Sequence, residues 1–146
     1  MASVQRELLI EATAEEVWSV IRDFGGGPDR MAPGFVSSTS LEDDVRIVTF
    51  TDGTVARERL VTIDEEARRI VYAVIGDTLQ PVHDNSSMQV LPEGTDHSRL
   101  VWIHDVLPDD LAKPLAAAME QGFAVIKQTL ESAYGREEAH AIHNGS

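Results

Sequence analysis

The sequence predicts an α+β domain in which a curved, seven-stranded antiparallel sheet wraps around one long C-terminal helix. Three observations carry that expectation. Six short strand-like runs follow one another closely between residues 35 and 107, one amphipathic run extends from Asp109 to Tyr134, and a first strand with two short helices precedes them. Short connections favour sequential antiparallel pairing over crossovers, so the six runs should form a meander. A sheet and a single helix each bury one face, and a sheet curled around a helix leaves room for a ligand between the layers.

The first strand spans Ser3 to Ala12, with Val4, Arg6, Leu8 and Ile10 on one face and Gln5, Glu7, Leu9 and Glu11 on the other. Thr13-Ala14-Glu15-Glu16 then matches a capping box, and Val17, Trp18, Ile21 and Phe24 follow at helical spacing. Gly25-Gly26-Gly27-Pro28 reads as the terminator of that helix. A phosphate-cradling loop is not indicated, because the glycines follow a helix and no Gly-Lys-Ser/Thr comes after them. Asp29 to Pro33 reads as a short second helix. Strands follow over Phe35 to Glu42, Val45 to Thr51, Thr54 to Asp64, Arg69 to Gly76, Val82 to Leu91 and Arg99 to Leu107, with a tight turn at Asp52-Gly53. Asp109-Asp110 place negative charge at the start of the last helix, where the helix dipole favours it. Leu111, Leu115, Met119, Phe123, Ile126 and Leu130 form its apolar stripe, and Gly135 stops it. Residues 1–135 thus form one domain, and the polar residues 136–146, with His140 and His143, read as a disordered tail.

Composition narrows the function. The 146 residues suffice for one domain with a substantial core, and the chain has no cysteine. Thiol catalysis, cysteine-ligated metals and disulfides are thereby excluded, and a cytoplasmic location fits. Met1 to Ile10 carries Gln5, Arg6 and Glu7, unlike a secretory leader, and no apolar run reaches the ~18 residues of a membrane span. A net charge of -13 at pH 7 repels nucleic acid and anionic membrane surfaces and marks an acidic, well-solvated exterior. The histidines lack ligand spacing with carboxylates, so no metal site is expected, nor any other cofactor.

The order of one strand, two helices, six strands and a long helix resembles the helix-grip fold of the START-like, Bet v 1-like (SRPBCC) superfamily. Its bacterial members are described as polyketide cyclase/dehydrase-like or lipid-transport-like. The resemblance covers Val4 to Ala133 and rests on element order plus Val17-Trp18, Arg22-Asp23-Phe24, Ala32-Pro33-Gly34, Glu58-Arg59-Leu60, Ile63-Asp64, Val74-Ile75-Gly76 and Leu107-Pro108. Within it, Glu58 to Ser86 is similar to the plant abscisic-acid receptors. That likeness implies that Glu58 faces a cavity, with Tyr72 and Val74 on the next strand and Asp84 and Ser86 on the one after. The chain departs from those receptors where their hormone-anchoring lysine falls at Ser37, where Asp52-Gly53 replaces their gate loop, and where Leu79-Gln80-Pro81 replaces their latch. These departures point away from a hormone receptor.

Strand parity is an independent guide to the cavity-facing residues. Asp84, Ser86, Met88 and Val90 share one face of their strand, opposite the wholly polar His83, Asn85, Ser87 and Gln89. Ala56, Glu58 and Leu60 alternate with Arg57, Arg59 and Val61, and arginines are more readily left in water. Glu58 and Asp84 would then meet near Tyr72 and Ser86 as a general acid and a general base, with Tyr72 donating to a developing oxyanion. The other reading pairs Glu58 with an arginine at the cavity rim and leaves Asp84 in a solvated loop. Trp102 and His104 share a face opposite Val101, Ile103 and Asp105; an outward Trp102–His104 cluster is expected, with Ile103 facing the ligand. Turned inward, His104 would be a candidate general base. Ala118, Met119 and Gly122 on the last helix are small or adaptable enough to leave ligand space.

The function expected from the sequence is binding of a small apolar molecule, aromatic, polyketide-like or lipid-like, by a monomer or homodimer. The alternatives are a cofactor-free cyclase or dehydratase using Glu58, Asp84 and Tyr72, and an interaction module in which a ligand shifts residues 77–81.

Overall fold

The computed structural model describes residues 1–135. The chain runs β1 (Ala2–Ile10), α1 (Ala14–Ile21), α2 (Gly27–Met31), β2 (Val36–Glu42), β3 (Val45–Phe50), β4 (Val55–Asp64), β5 (Arg69–Asp77), β6 (His83–Glu93), β7 (His97–Leu107), a 3-10 turn (Asp109–Leu111) and α3 (Ala112–Tyr134). The seven strands form one sheet in the order β1-β7-β6-β5-β4-β3-β2, every neighbouring pair antiparallel. This is the expected meander, completed where β1 pairs with the last strand. The tail with His140 and His143 lies outside the described residues. Among those described, no helix is long and apolar enough to cross a membrane.

The capping box forms as the sequence indicates. Glu16 N–H donates to Thr13 Oγ1 at 3.1 Å, and Thr13 N–H donates to Glu16 Oε1 at 2.9 Å. The glycine run differs from its reading as a simple terminator. Gly27 already belongs to α2, with Pro28 in its first turn, so the second helix begins earlier than Asp29 and ends at Met31. The physical reason is a close approach between consecutive helices: a Cβ at Gly27 would lie 2.7 Å from the Val20 carbonyl oxygen. The long helix is preceded by a separate turn at Asp109–Leu111, so the two aspartates lie in that turn and α3 starts at Ala112. Its buried stripe is Leu115, Met119, Gly122, Phe123, Ile126 and Leu130, packed toward the concave side of the sheet.

Two irregularities bend the sheet where the site is built. The β4–β5 register shifts between Arg57 and Glu58 and again between Leu60 and Thr62. A bulge adds a residue to one strand and increases its local twist. The extra residues, Ile75 and Val61, are exposed, while Glu58 is buried between the shifts.

Candidate functional site

Two adjoining lobes lie between sheet and α3. One, of about 60 Å3, lies toward α2 and is lined by Met31, Arg46, Val48, Tyr72, Met88, Gly122 and Ile126 among others. The second, of about 100 Å3, lies toward the start of α3 and is lined by Ala56, Val74, Leu79, His104, Leu115, Ala118 and Met119 among others. Phe35, Phe50, Glu58 and Trp102 line both and form the waist between them. Phe35 and Phe50 pack edge to face, with ring centroids 5.2 Å apart, and also floor a surface depression beside Asp52, Gln121 and Val125. These two rings therefore border both lobes and that depression.

Arg46 is the functional residue that sequence reasoning missed. It is 4% exposed and stands directly opposite Glu58 in the β3–β4 register. Its Nε donates to Glu58 Oε1 at 2.7 Å, and its Nη1 donates to the Phe24 carbonyl at 3.1 Å. The guanidinium also lies 4.4 Å from the Phe24 ring centroid and 4.7 Å from that of Tyr72. Glu58 thus has an arginine partner, but a buried one in place of one at the rim. A buried pair of this kind is held by its mutual charge and by hydrogen bonds that replace water.

Asp84 belongs to a second polar cluster. It accepts from Val74 N–H at 2.8 Å and from the Ser86 hydroxyl at 3.0 Å, and its Oδ1 lies 2.8 Å from His104 Nδ1. The structure therefore brings Asp84 together with Ser86 and His104, and it brings Glu58 together with Arg46; the two carboxylates form no direct contact. Asp84 and Ser86 are buried and line neither lobe, Asp84 bordering only a void of about 10 Å3. Of the other candidates, Tyr72, Met88 and Gly122 line the first lobe, and Val74, Ala118 and Met119 the second.

The last strand corrects the expected orientation. Ser98, Leu100, His104 and Val106 are buried, and Trp102 packs against the core, so this face points inward without a bulge. Ile103 lies on the opposite face and lines neither lobe. The reason is pairing: directly opposed residues share a face, and the β6–β7 register sets Ser86 against His104 and Met88 against Trp102.

Tyr72 joins the two clusters. Its hydroxyl accepts from the Trp102 indole at 3.1 Å, and its ring packs edge to face with His104 at 6.2 Å. Burial, then the charge of Glu58, push its phenol far above the ordinary range, with Arg46 opposing. Tyr72 is therefore a neutral hydrogen-bonding group. In a Tyr134→Phe variant, which leaves Tyr72 as the single tyrosine, absorbance at 295 nm should stay flat through the ordinary phenol range and rise only with unfolding. The folded state retains a proton that the unfolded state releases. This contribution to stability is complete below about pH 10 and declines above it by up to ~1.4 kcal/mol per pH unit. Phenolate absorbance appearing while the fold is intact would contradict the assignment.

Among the described residues, no group of three His, Asp or Glu side chains could hold a metal ion. The family model for polyketide cyclase/dehydrase and lipid transport proteins matches residues 1–132, and the chain belongs to this family. A search of curated proteins finds no match. Among solved structures, the protein XoxI from Bacillus cereus superposes with a TM-score of 0.78 at 22% identity, covering 89% of this chain and 96% of that one. The di-domain ARO/CYC BexL from the BE-7585A biosynthetic pathway gives 0.72 at 18% identity, over 90% of this chain and 47% of BexL. Norcoclaurine synthase from Thalictrum flavum, in complex with dopamine and hydroxybenzaldehyde, gives 0.63 at 22% identity, over 89% and 87%. These structural likenesses show the shared Bet v 1-like fold.

Proposed function

We propose that this protein binds a small, mainly apolar molecule carrying a single aromatic ring, held across the waist between the two lobes. The observation that carries this reading is the pair of adjoining lobes, apolar except for Arg46, Thr54, Glu58, Tyr72 and His104, with Trp102 lining both. Volume decides among ligand classes. A dry apolar cavity of ~150 Å3 accepts benzene, whereas drug-sized ligands occupy ~300–1,000 Å3. Lobes of about 60 and 100 Å3 match a single ring with a short substituent better than fused polyketide rings or a long acyl chain. The polar side chains fix its orientation. A ligand-shifted loop receives less support, because residues near 77–81 are tied to β4: Val55 N–H donates to Thr78 Oγ1, and Thr78 N–H donates to the Val55 carbonyl, each at 3.0 Å.

The test uses toluene, phenylacetone and palmitate as probes, read through the Trp102 indole N–H resonance. Both single-ring compounds should shift that resonance in a saturable manner, and palmitate should not. Gly122→Leu should weaken both by about tenfold or more, because a Cβ there already lies 3.3 Å from Phe35 and 3.5 Å from Trp102, and the longer branch enters the first lobe. Equal binding of palmitate, or undiminished binding by the leucine variant, would overturn the reading.

A further inference from the structure

The buried ion pair of Arg46 and Glu58 leaves one donor and one acceptor open. Arg46 engages Glu58 Oε1 through Nε and the Phe24 carbonyl through Nη1. Among the described residues, neither Arg46 Nη2 nor Glu58 Oε2 has a hydrogen-bond partner. Ser98 Oγ alone among them combines full burial of a side-chain polar atom with the lack of a partner, so Nη2 and Oε2 still border open space. The two side chains are only 5% and 10% exposed, and Arg46 lines the first lobe while Glu58 lines both. The open valences therefore meet the ligand space. For the fold alone that is unfavourable, since a polar atom withdrawn from bulk water costs free energy until something completes it. Both groups are also held in place. The guanidinium lies against the Phe24 and Tyr72 rings, and Glu58 stands opposite Arg46 in the β3–β4 register. A donor and an acceptor fixed side by side bind a complementary group at little cost in ordering.

We propose that the Arg46–Glu58 pair is the specificity determinant of this cavity and selects an uncharged ring compound whose polar group both donates and accepts a hydrogen bond, as a phenol or a primary aromatic amide does. This rests on the single-ring ligand reading and names the head group. The ligand oxygen accepts from Arg46 Nη2, and the ligand hydrogen is donated to Glu58 Oε2. The ring then lies among Val48, Met88 and Ile126, which line the same lobe. Charge excludes the alternatives. The two members of the salt bridge cancel one another, so an ionised head group gains little net attraction. A carboxylate that reaches Arg46 also meets the Glu58 carboxylate, and an ammonium that reaches Glu58 also meets the guanidinium. Either ion would give up its water without a matching return in a mainly apolar space. A purely apolar ring, in turn, leaves both open atoms uncompleted. Only a neutral group with one donor and one acceptor satisfies the pair, and both atoms act through hydrogen bonds to charged partners, the stronger kind.

The experiment titrates toluene, phenol, benzamide, benzoate and benzylammonium into the full chain at neutral pH, read through the Trp102 indole N–H resonance. Phenol and benzamide should bind about tenfold or more tighter than toluene, and the two ions about tenfold or more weaker than phenol. Arg46→Met combined with Glu58→Leu removes both open atoms; it should bind toluene and phenol equally. Glu58→Gln retains an acceptor for Arg46 Nε and removes the negative charge, so benzoate should gain about tenfold or more relative to toluene while benzylammonium gains nothing. A pair that served only the fold would leave these ratios unchanged. Melting curves verify that each variant is folded, and Glu58→Gln carries the test should the apolar double variant fail to fold. A wild type with no preference for phenol or benzamide over toluene, benzoate bound as tightly as phenol, or ratios unmoved in a folded variant would overturn the head-group assignment alone. Failure of all five probes to bind would overturn the single-ring reading, and this inference with it.

Discussion

Arg46→Ala should lower folding stability by about 3–5 kcal/mol, measured as a shift in the urea unfolding midpoint at unchanged slope. The size follows from what the substitution leaves behind. Glu58 would be left at a site 8% exposed without the guanidinium 2.7 Å away, and the Phe24 carbonyl would lose its side-chain donor. Glu58→Gln should cost less, because the amide oxygen still accepts from Nε. Replacing both partners, as Arg46→Met with Glu58→Leu, should recover most of the loss and could exceed wild-type stability by about 1–4 kcal/mol, since apolar side chains avoid the desolvation that a buried ion pair incurs. A cost below about 1 kcal/mol for Arg46→Ala would show that water reaches the pair. If the apolar double variant is as stable as expected but no longer shifts the Trp102 resonance on adding phenylacetone, the pair serves the ligand and not the fold.

The element order was readable because each element carries its own local signal, such as the Thr13–Glu16 capping box, the Asp52-Gly53 turn and the 3.6-residue stripe from Leu115 to Leu130. Parity alone places Glu58 and Met88 inward. It gives no such answer for β3, where Val45, Arg46 and Val48 are all buried, so an arginine among apolar neighbours on both faces carries no periodic mark. The available signal is cross-strand: opposite charges at Arg46 and Glu58 become meaningful once the β3–β4 hairpin fixes their register. The same holds for β7. Val101 and Ile103 are more apolar than His104, and their alternation taken alone turns the strand the wrong way. Pairing with β6 reverses it, because Ser86 and Met88 are inward and carry His104 and Trp102 with them. The buried polar residues of this site are thus specified in pairs across strands, a pattern invisible to reading one strand at a time.

Asp84→Ala is expected to have an effect as large as that at Arg46, about 3–5 kcal/mol, for a different reason. The carboxylate is the shared acceptor of the Val74 backbone N–H, the Ser86 hydroxyl and His104, and its side chain is 1% exposed. Each donor left without a partner away from water costs about 1–3 kcal/mol, and a methyl group can satisfy none of them. Asparagine retains one acceptor oxygen, so Asp84→Asn should cost only about 1–2 kcal/mol and remain folded. The difference separates two explanations for an aspartate in the core. If alanine and asparagine are equally harmful, the negative charge opposite His104 stabilises the fold. If asparagine is nearly as stable as wild type, hydrogen bonding and not charge holds the sheet at this position. The bonds to this carboxylate favour the second outcome, since the Val74 N–H and the Ser86 hydroxyl are donors that an amide oxygen can also serve.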